Sequence, residues 1–319
     1  QKEAGIDLIP SNDFSFYDQV LDMTLALGAI PSRYAPLTTN RLDLYFAMAR
    51  GYQRDGHDII AMEMTKWFDT NYHYIVPEFK KGQQFKLFYN KASYEYNEAQ
   101  ELGIETKPVI IGPITYLLFG KEKEAGFHRL DLLDNLLPAY IELLRELEVS
   151  GAKWVQLDEP FLALDINKEV REAYEKAYQQ ISASCPALQL IVATYFEGLK
   201  DNLSLAVNLP VDALHIDVVR APQQLDEVLN ALPASKKLSV GVVDGRNIWK
   251  NDLEKSRELI QKAVNALGEE RVIIAGSSSF LHVPCDLDLE KNEKVLTAEI
   301  KQWMAFAKQK VHELVALKE

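Results

Sequence analysis

Trp154-Val155-Gln156-Leu157-Asp158-Glu159-Pro160 joins a short run of strand-forming residues to an abrupt acidic turn. Runs of about four to eight mostly apolar residues, bounded by turn formers, are typical of strands buried in parallel sheets. Six similar runs lie along the chain, at residues 6–9, 109–112, 190–193, 214–217, 238–241 and 272–275. The pattern predicts seven parallel strands.

The stretches between these runs have the periodicity of amphipathic helices. In residues 132–149, apolar residues recur at positions 133, 136, 137, 140, 141, 144 and 147, and Gly151 follows as a helix C-terminal signal. From Val109 onward the strand starts are 24 to 45 residues apart, which fits βα units with some enlarged loops. The right-handed crossover rule then leaves a barrel or a doubly wound sheet. No Gly-x-Gly-x-x-Gly follows a strand, so the nucleotide-binding sheet is disfavoured.

Polar and turn-forming residues follow most of the predicted strands, and they favour the barrel. They occupy residues 10–13, 112–115, 158–160, 194–197, 244–247 and 277–279. In (β/α)8 barrels, this end of the strands carries function. Only seven strands are evident, so the eighth is either residues 72–78 or a segment before residue 1. Because the chain begins with glutamine and soon enters a strand, we expect an upstream part to be missing.

Composition excludes several classes of protein. The 319 residues are 47% hydrophobic and 26% charged, as in an ordinary globular protein. A net charge of −12, without a basic tract, argues against nucleic acid as a partner. No apolar run is long enough for a membrane span, and the first residues lack a signal sequence, so we expect a cytoplasmic protein. Cys185 and Cys285 are predicted to be buried thiols, without a disulfide or a Cys-x-x-Cys metal site.

Residues 61–78 gather Lys66, Asn71 and four aromatic residues in one loop-to-strand segment. Lys66 supplies a mobile cation and Asn71 an amide that both donates and accepts, a combination suited to a polar anion. The structural alternative is that the rings belong to the core, Lys66 is a solvated surface charge and Asn71 shapes a turn. From the residues alone, both interpretations stay open.

Four motifs match one family in order. They are residues 64–74 (Met-Thr-Lys-Trp-Phe-Asp-Thr-Asn-Tyr-His-Tyr), 156–160, 243–249 and 303–307. Through them the chain resembles the N-terminal half of cobalamin-independent methionine synthase, 5-methyltetrahydropteroyltriglutamate–homocysteine methyltransferase. That family has two face-to-face (β/α)8 barrels. The resemblance implies that residues 1–319 are the N-terminal barrel and that the zinc-bearing C-terminal catalytic barrel is absent.

The resemblance also accounts for the number of strands. It implies an α/β fold of the (β/α)8 TIM-barrel type that lacks its first strand and helix in this chain. Residues 6–10 then match the second barrel strand, and residues 72–78 are an elaboration outside the barrel. The basic residues upstream that help bind the folate tail would also be missing, and the isolated chain is predicted to be inactive.

The family's ligand contacts carry over to two residues. The resemblance implies that Lys66 and Asn71 contact 5-methyltetrahydropteroyltriglutamate, while Trp67, Phe68, Tyr72 and Tyr74 pack behind them. The expected partners are this folate and the C-terminal barrel of the same protein, with no nucleic acid and no membrane. No catalytic residue, metal ligand or cofactor is assigned to this chain, and zinc is expected only in the absent barrel.

Several strand-end residues have tempting but weaker interpretations. Asp158 and Glu159 resemble an acid pair, although a structural role is preferred. By analogy with the duplicated barrel, the zinc ligands would fall near Thr194, Phe196, Asp217 and Ser278, of which only Asp217 could bind metal. His215 is predicted to be a satisfied interior histidine. Gly245 is expected to permit an unusual backbone angle, and Arg246 to have a structural role.

Two rival functions remain for the chain. One is a free-standing barrel enzyme that uses Asp158, Glu159 and Asp244 as acid and base groups. The other is a purely structural domain that braces a catalytic barrel. In that second case, replacing Lys66 and Asn71 would leave folate affinity unchanged.

Overall fold

A computed structural model describes all residues, 1–319. The chain alternates between short strands and helices. Its strands are β1 (Ile9–Ser11), β2 (Tyr52–Arg54), β3 (His57–Ile59), β4 (Met64–Lys66), β5 (His73–Ile75), β6 (Glu78–Phe79), β7 (Thr106–Ile111), β8 (Lys121–Glu122), β9 (Trp154–Asp158), β10 (Gln189–Ala193), β11 (Ala213–Asp217), β12 (Lys237–Val243) and β13 (Val272–Gly276).

The helices fall between and after these strands. They are α1 (Gln19–Ala26), α2 (Arg41–Arg50), α3 (Lys91–Glu101), α4 (Pro113–Phe119), α5 (Leu133–Val149), α6 (Lys168–Ser184), α7 (Leu203–Asn208), α8 (Gln224–Ala231), α9 (Leu253–Leu267), α10 (Ala298–Lys301) and α11 (Ala307–Lys318). None of them is both long enough and apolar enough to cross a membrane.

The chain divides into two compact units, each described by itself below. The first unit comprises residues 10–158 and 167–189, and the second unit comprises residues 1–9, 159–166 and 190–319.

In the first unit, β7 and β9 pair in parallel, with Val109 opposite Gln156 and Ile111 opposite Asp158. Helix α5 contacts this layer through Tyr140, whose hydroxyl donates to Ile111 O at 2.9 Å, and Gly151 follows the helix at φ 91° as its predicted C-terminal signal. Two antiparallel hairpins, β2–β3 and β4–β5, and the short parallel pair β6–β8 lie outside that pairing. A separate apolar cluster is built on α1, α2 and the segments after them, and it includes Leu21, Tyr34 and Met48.

In the second unit, β10, β11, β12 and β13 pair in parallel and in chain order. Every residue of β11 is buried, including the polar His215 and Asp217, as in a strand covered on both faces. A register shift between Gly241 and Val243 interrupts the β12–β13 ladder close to its C-terminal end. The residues that follow each strand are therefore brought to one edge of the ladder.

The parallel-strand α/β class is confirmed, and six of the seven predicted strands overlap observed ones with small changes in their ends. The run at residues 6–9 was placed too early, because β1 is Ile9–Ser11. Residues 1–6 form a hydrogen-bonded turn instead, in which Gly5 N and Ile6 N both donate to Gln1 O at 3.1 Å. Residues 72–78 are outside the ladders formed by the seven predicted strands, as the resemblance implied, since β5 pairs with β4 and Glu78 begins β6, which pairs with β8.

The position of Gly120 leaves no room for a side chain. A Cβ at this position would lie 2.0 Å from the ring of the fully buried Phe79. We expect Gly120→Ala to lower the free energy of unfolding by about 2 kcal/mol, because overpacking displaces a fixed ring. Urea denaturation measures the change. In the Phe79→Leu background the same substitution should cost clearly less, and equal costs in both backgrounds would contradict this explanation.

Candidate functional site

Lys66 and Asn71 lie on one hairpin of the first unit. Lys66 ends β4 and pairs with His73 of β5, and Asn71 lies in the turn that joins the two strands. Both residues are exposed. The structure therefore brings the two predicted ligand contacts to the same tip, which we define as residues 66–73. Contact with a ligand stays a prediction.

Short hydrogen bonds give the tip a defined turn. Trp67 N donates to Tyr72 O at 2.8 Å, and Thr70 N donates to Trp67 O at 3.1 Å. The Thr70 hydroxyl also donates to Trp67 O at 2.7 Å and accepts from Tyr72 N at 3.1 Å. The backbone on both sides of Asn71 is thus tied down, while the Asn71 side chain faces solvent.

Aromatic packing supports the tip from behind. Trp67 has no exposed surface, and its ring meets four others at centroid distances from 4.8 to 6.3 Å: Phe119, Phe68, Tyr74 and Tyr72. Phe68 has φ 51°, a left-handed value that is uncommon for a bulky residue and that this packing maintains. The prediction that these aromatic side chains pack behind Lys66 and Asn71 is confirmed.

The fully buried carboxylate of Asp18 joins the hairpin to helix α1. One oxygen, Oδ1, accepts from Val20 N and Leu21 N at 2.8 Å each and so caps the helix. The other oxygen, Oδ2, accepts from Ile75 N of β5 at 2.9 Å. One side chain therefore satisfies buried donors of two elements, and it orients the hairpin relative to the helix.

Lys66 has no ion-pair partner, in contrast to Lys121 and Arg33 of the same unit. Lys121 pairs with Glu63 at 2.5 Å, and Arg33 pairs with Glu78 at 2.6 Å. Neighbouring carboxylates thus neutralise the charges of Lys121 and Arg33, whereas no carboxylate lies within ion-pair distance of Lys66. Its ammonium group is available for an anion from solution.

The strand ends of the second unit form a buried polar cluster. Asp217, at the end of β11, is 1% exposed. Its Oδ1 accepts from Val219 N at 3.0 Å and Arg220 N at 2.9 Å, while its Oδ2 has no hydrogen-bond partner. Burial raises the pKa of this carboxyl to about 6, with a smaller contribution from the charge of Asp244. Asp217 is the most perturbed acid in this cluster.

The four positions that correspond to zinc ligands do not fit a metal site. Thr194 donates its hydroxyl to His215 O at 2.8 Å, and Phe196 packs on His282 with ring centroids 5.5 Å apart. Asp217 is the only strong ligand among them, since Ser278 offers a hydroxyl. No group of three or more His, Cys, Asp or Glu side chains is arranged to hold a metal ion.

His215 has the predicted interior role. Its Nδ1 lies 2.9 Å from Ser239 Oγ and its Nε2 lies 3.3 Å from Ser277 O, so both ring nitrogens have partners. His282, which packs on Phe196, is kept neutral, because burial and the charge of Arg246 lower its pKa to about 4.

Hydrogen bonds within residues 244–247 stabilise the corner after β12. Asp244 accepts from Arg246 N and from the Asn247 side chain at 2.7 Å each. The Arg246 guanidinium carbon lies 4.6 Å from the centre of the Phe196 ring, a cation–π contact consistent with the structural role that we preferred. The reason given for Gly245 was wrong, because its φ is not positive.

Gly245 is needed for a close approach instead. A Cβ on this residue would lie 2.6 Å from the Ser278 hydroxyl and 2.7 Å from the Ser278 carbonyl oxygen. Glycine thus lets the loop after β12 pass directly over the segment after β13.

The acid pair is also built into the scaffold. In the first unit, Asp158 accepts from the Gln156 side chain at 2.7 Å. Lys107, which donates to the same Gln156, has its pKa lowered to about 8 by burial, against the opposing effect of Asp158 and Asp13. In the second unit, Glu159 is fully buried and its main-chain N donates to Ala193 O at 2.8 Å.

Sequence reasoning missed Lys107 as part of this network. It lies two residues before Val109 and four before Ile111, in the alternating register of one strand face. That register was the available signal. It was overlooked because the predicted strand began at Val109.

The two cysteines differ from the expectation of two buried thiols. Cys185 is buried, and burial raises its pKa to about 11. Cys285 is exposed, so that part of the prediction was wrong. It lies in an irregular segment after β13.

Comparisons with known proteins give consistent results. Residues 1–268 match the family model described as "Cobalamin-independent synthase, N-terminal domain". A relative in Flavobacterium johnsoniae, named 5-methyltetrahydropteroyltriglutamate–homocysteine methyltransferase, is 59% identical over 323 aligned positions, which cover 100% of this chain and 42% of the relative. A relative of the same name in Xylella fastidiosa is 52% identical, covering 99% of this chain and 41% of the relative. The chain thus spans less than half the length of these relatives.

Two solved structures resemble the fold. A B12-independent methionine synthase from Shewanella sp. W3-18-1 aligns with a TM-score of 0.65 at 14% identity, covering 100% of this chain and 83% of that one. A methyltransferase from Methanosarcina mazei aligns with a TM-score of 0.54 at 12% identity, covering 98% and 94%. At these identities the likeness concerns the fold alone.

The role of Asp18 can be tested by removing its carboxylate. We expect Asp18→Ala to lower the free energy of unfolding by about 3 kcal/mol, because it removes a helix cap and leaves the Ile75 N–H buried without an acceptor. Asn167→Ala is the matched control, since Asn167 only caps α6, and it should cost about 1 kcal/mol. Urea unfolding measures both. Trypsin cleavage after Lys66 should also become faster in Asp18→Ala alone, and equal effects of the two substitutions would argue against the anchor.

The raised pKa of Asp217 predicts a pH-dependent effect of Asp217→Asn. The folded carboxyl keeps its proton up to about pH 6, whereas the unfolded one loses it near 3.8, so its favourable contribution is present below 3.8 and lost as pH rises through 6. Relative to wild type, the amide variant should therefore gain on the order of 3 kcal/mol between pH 3.8 and pH 7. Chemical denaturation at a series of pH values measures this. A stability difference that does not vary with pH would rule out the shifted titration.

Proposed function

The chain belongs to the cobalamin-independent methionine synthase family, and we propose that it forms the N-terminal, folate-binding part of such an enzyme. The proposed reaction moves a methyl group from 5-methyltetrahydropteroyltri-L-glutamate to L-homocysteine and gives L-methionine. The observation that carries the binding role is the tip at residues 66–73, where Lys66 is exposed, rigidly supported and without an ion pair.

The chemistry of the tip suits the glutamate tail of the folate. The tail is polyanionic, Lys66 supplies an ammonium group, and the exposed amide of Asn71 can donate to a carboxylate and accept from a tail amide. An exposed pair of this kind contributes only about 0 to 1 kcal/mol, so Lys66 alone would bind the tail weakly. The proposed site therefore needs further cations beside this hairpin.

We infer that the parallel strands belong to a (β/α)8 barrel whose first strand and helix precede residue 1. Two observations support it: the strands β10 to β13 pair in chain order, and polar residues gather at their C-terminal ends. In that arrangement residues 1–319 are one barrel domain, and the ligand binds at the C-terminal ends of its strands.

We place the methyl-transfer chemistry outside this chain. The zinc expected for it would lie in a C-terminal catalytic barrel, the proposed partner of this domain, because the donors at Thr194, Phe196, Asp217 and Ser278 do not fit a zinc site. Lys66 and Asn71 would instead contribute remote binding energy that positions the methyl donor. On its own the chain is proposed to be inactive.

The proposed location is the cytoplasm. Both cysteines are free thiols, which suits a reducing compartment.

A double substitution at the tip tests the binding role in the complete protein. We expect Lys66→Ala with Asn71→Ala to weaken binding of the triglutamate folate about threefold to tenfold, and binding of the monoglutamate form less than twofold, because only the longer tail reaches the tip. Isothermal titration calorimetry measures both. Lys81→Ala is the control, since it removes another exposed lysine of the same unit.

The comparison of tail lengths separates the proposal from a purely structural role. A brace for a catalytic barrel predicts unchanged affinity for both folates. Equal weakening of both forms would place Lys66 and Asn71 near the pterin or elsewhere, and it would also contradict the tail-binding role.

A further inference from the structure

The second unit contains a pocket that the proposed folate site does not use. Its volume is about 170 Å³. It lies between the segment after β11, the loop after β12, the start of α9 and helix α11, and among its lining residues are Val218, Trp249, Lys250, Lys255 and Lys310. A cavity of about 150 Å³ can hold a benzene molecule, so this pocket has room for an ion the size of phosphate with some water.

Lys310 forms the floor of the pocket. This residue has no exposed surface, and its Nζ donates to Trp249 O at 2.9 Å and to Asn247 Oδ1 at 3.3 Å. Burial lowers the pKa of the ammonium group, while the charges of Glu313 and Asp244 favour its protonation. Lys310 thereby fixes the loop after β12 and leaves a cation beneath the pocket.

Two further lysines, Lys250 and Lys255, line the pocket. Both are exposed and neither forms an ion pair, although the charge of Lys250 opposes the rise in the pKa of Glu313. Lys262, on the same helix as Lys255, is different because it pairs with Asp226 at 2.5 Å. The ammonium groups of Lys250 and Lys255 are therefore exposed at the pocket without an ion pair.

The acidic groups around the pocket are already engaged by the protein. Asp244 accepts from Arg246 N and from the Asn247 side chain. Asp252 caps α9 by accepting from Lys255 N at 3.1 Å.

Glu313 is held in the same way from the side of α11. Its Oε1 accepts from Asn251 N at 2.9 Å, whereas its buried Oε2 has no hydrogen-bond partner. The acceptors therefore hold the loop and the helix, while the free hydrogen-bond donors of Lys250 and Lys255 remain for a ligand.

We propose that this pocket binds a small oxyanion, of the phosphate or carboxylate class, between Lys250 and Lys255 and above the buried Lys310. The two exposed ammonium groups would each donate to one oxygen of the ion, and the start of α9 lies at the same mouth. Because Asp244, Asp252 and Glu313 lie close to the lysines, the net positive potential of the pocket is small. The pocket should therefore favour a compact ion that fits between the lysines over a large polyanion.

The test uses the complete protein and two probes, inorganic phosphate and glutarate. Calorimetry at constant ionic strength measures the binding of each probe. We expect saturable binding of at least one probe in the millimolar range, and about a fivefold or greater loss of affinity in the double variant Lys250→Gln, Lys255→Gln. Lys262→Gln removes one charge from the same helix and should change affinity less than twofold. Circular dichroism confirms that the variants are folded.

The two probes distinguish the sources of the ion. Tighter binding of phosphate assigns the pocket to a phosphate group, and tighter binding of glutarate assigns it to a carboxylate group. Saturation by neither probe overturns the proposal. So does an equal loss of affinity in Lys262→Gln and in the double variant, because the effect would then reflect overall charge and not this pocket.

Discussion

The buried carboxylate of Asp18 is the interaction on which the exposed tip depends. A two-stranded hairpin is marginally stable by itself in water. Here Asp18 binds β5 through Ile75 N and binds α1 through two of its first amides. The Tyr72 hydroxyl reinforces the link by accepting from Gln19 N at 3.0 Å. The hairpin is therefore held to a helix end through polar groups, and Trp67 adds the apolar contact that keeps water out.

The strand ends of the second unit illustrate how polar residues can mark a fold without carrying its chemistry. His215, Thr194 and Asp244 all direct their hydrogen bonds inward, to backbone groups or to neighbouring side chains. Only the Oδ2 atom of Asp217 and the Ser278 hydroxyl lack partners there. An acid and a hydroxyl without a third ligand cannot form a zinc site, so the cluster mainly serves the close packing of successive loops.

The sequence predicted the strands better than their surroundings. Parallel strands such as β10 and β12 are buried along almost their whole length, so their runs are mostly apolar and bounded by turn residues. Two-residue and three-residue strands such as β6 and β2 are too short to leave a pattern. Gly245 shows a different limit, since its need for glycine comes from Ser278, more than thirty positions away, and not from its own backbone angle.

The candidate site was predictable to a similar extent. The motif around Lys66 and Asn71 is local, and a local motif can be recognised without knowing its neighbours. The pocket at Lys250 and Lys255 is not local, because its floor comes from Lys310 on the last helix. The helical sequence pattern predicts that Lys310 is exposed at the surface, and only the three-dimensional fold places it under Trp249 O.

The two proposed anion sites share one property, which is that their lysines do not form ion pairs within the protein. With a net charge of −12, the chain as a whole repels anions, so long-range attraction cannot bring a ligand to it. What counts is whether an individual cation is already neutralised by the protein. Lys121 and Lys262 are paired with Glu63 and Asp226, and a ligand would have to displace those acids. Lys66, Lys250 and Lys255 form no such ion pair, so an anion can approach them without displacing a paired carboxylate.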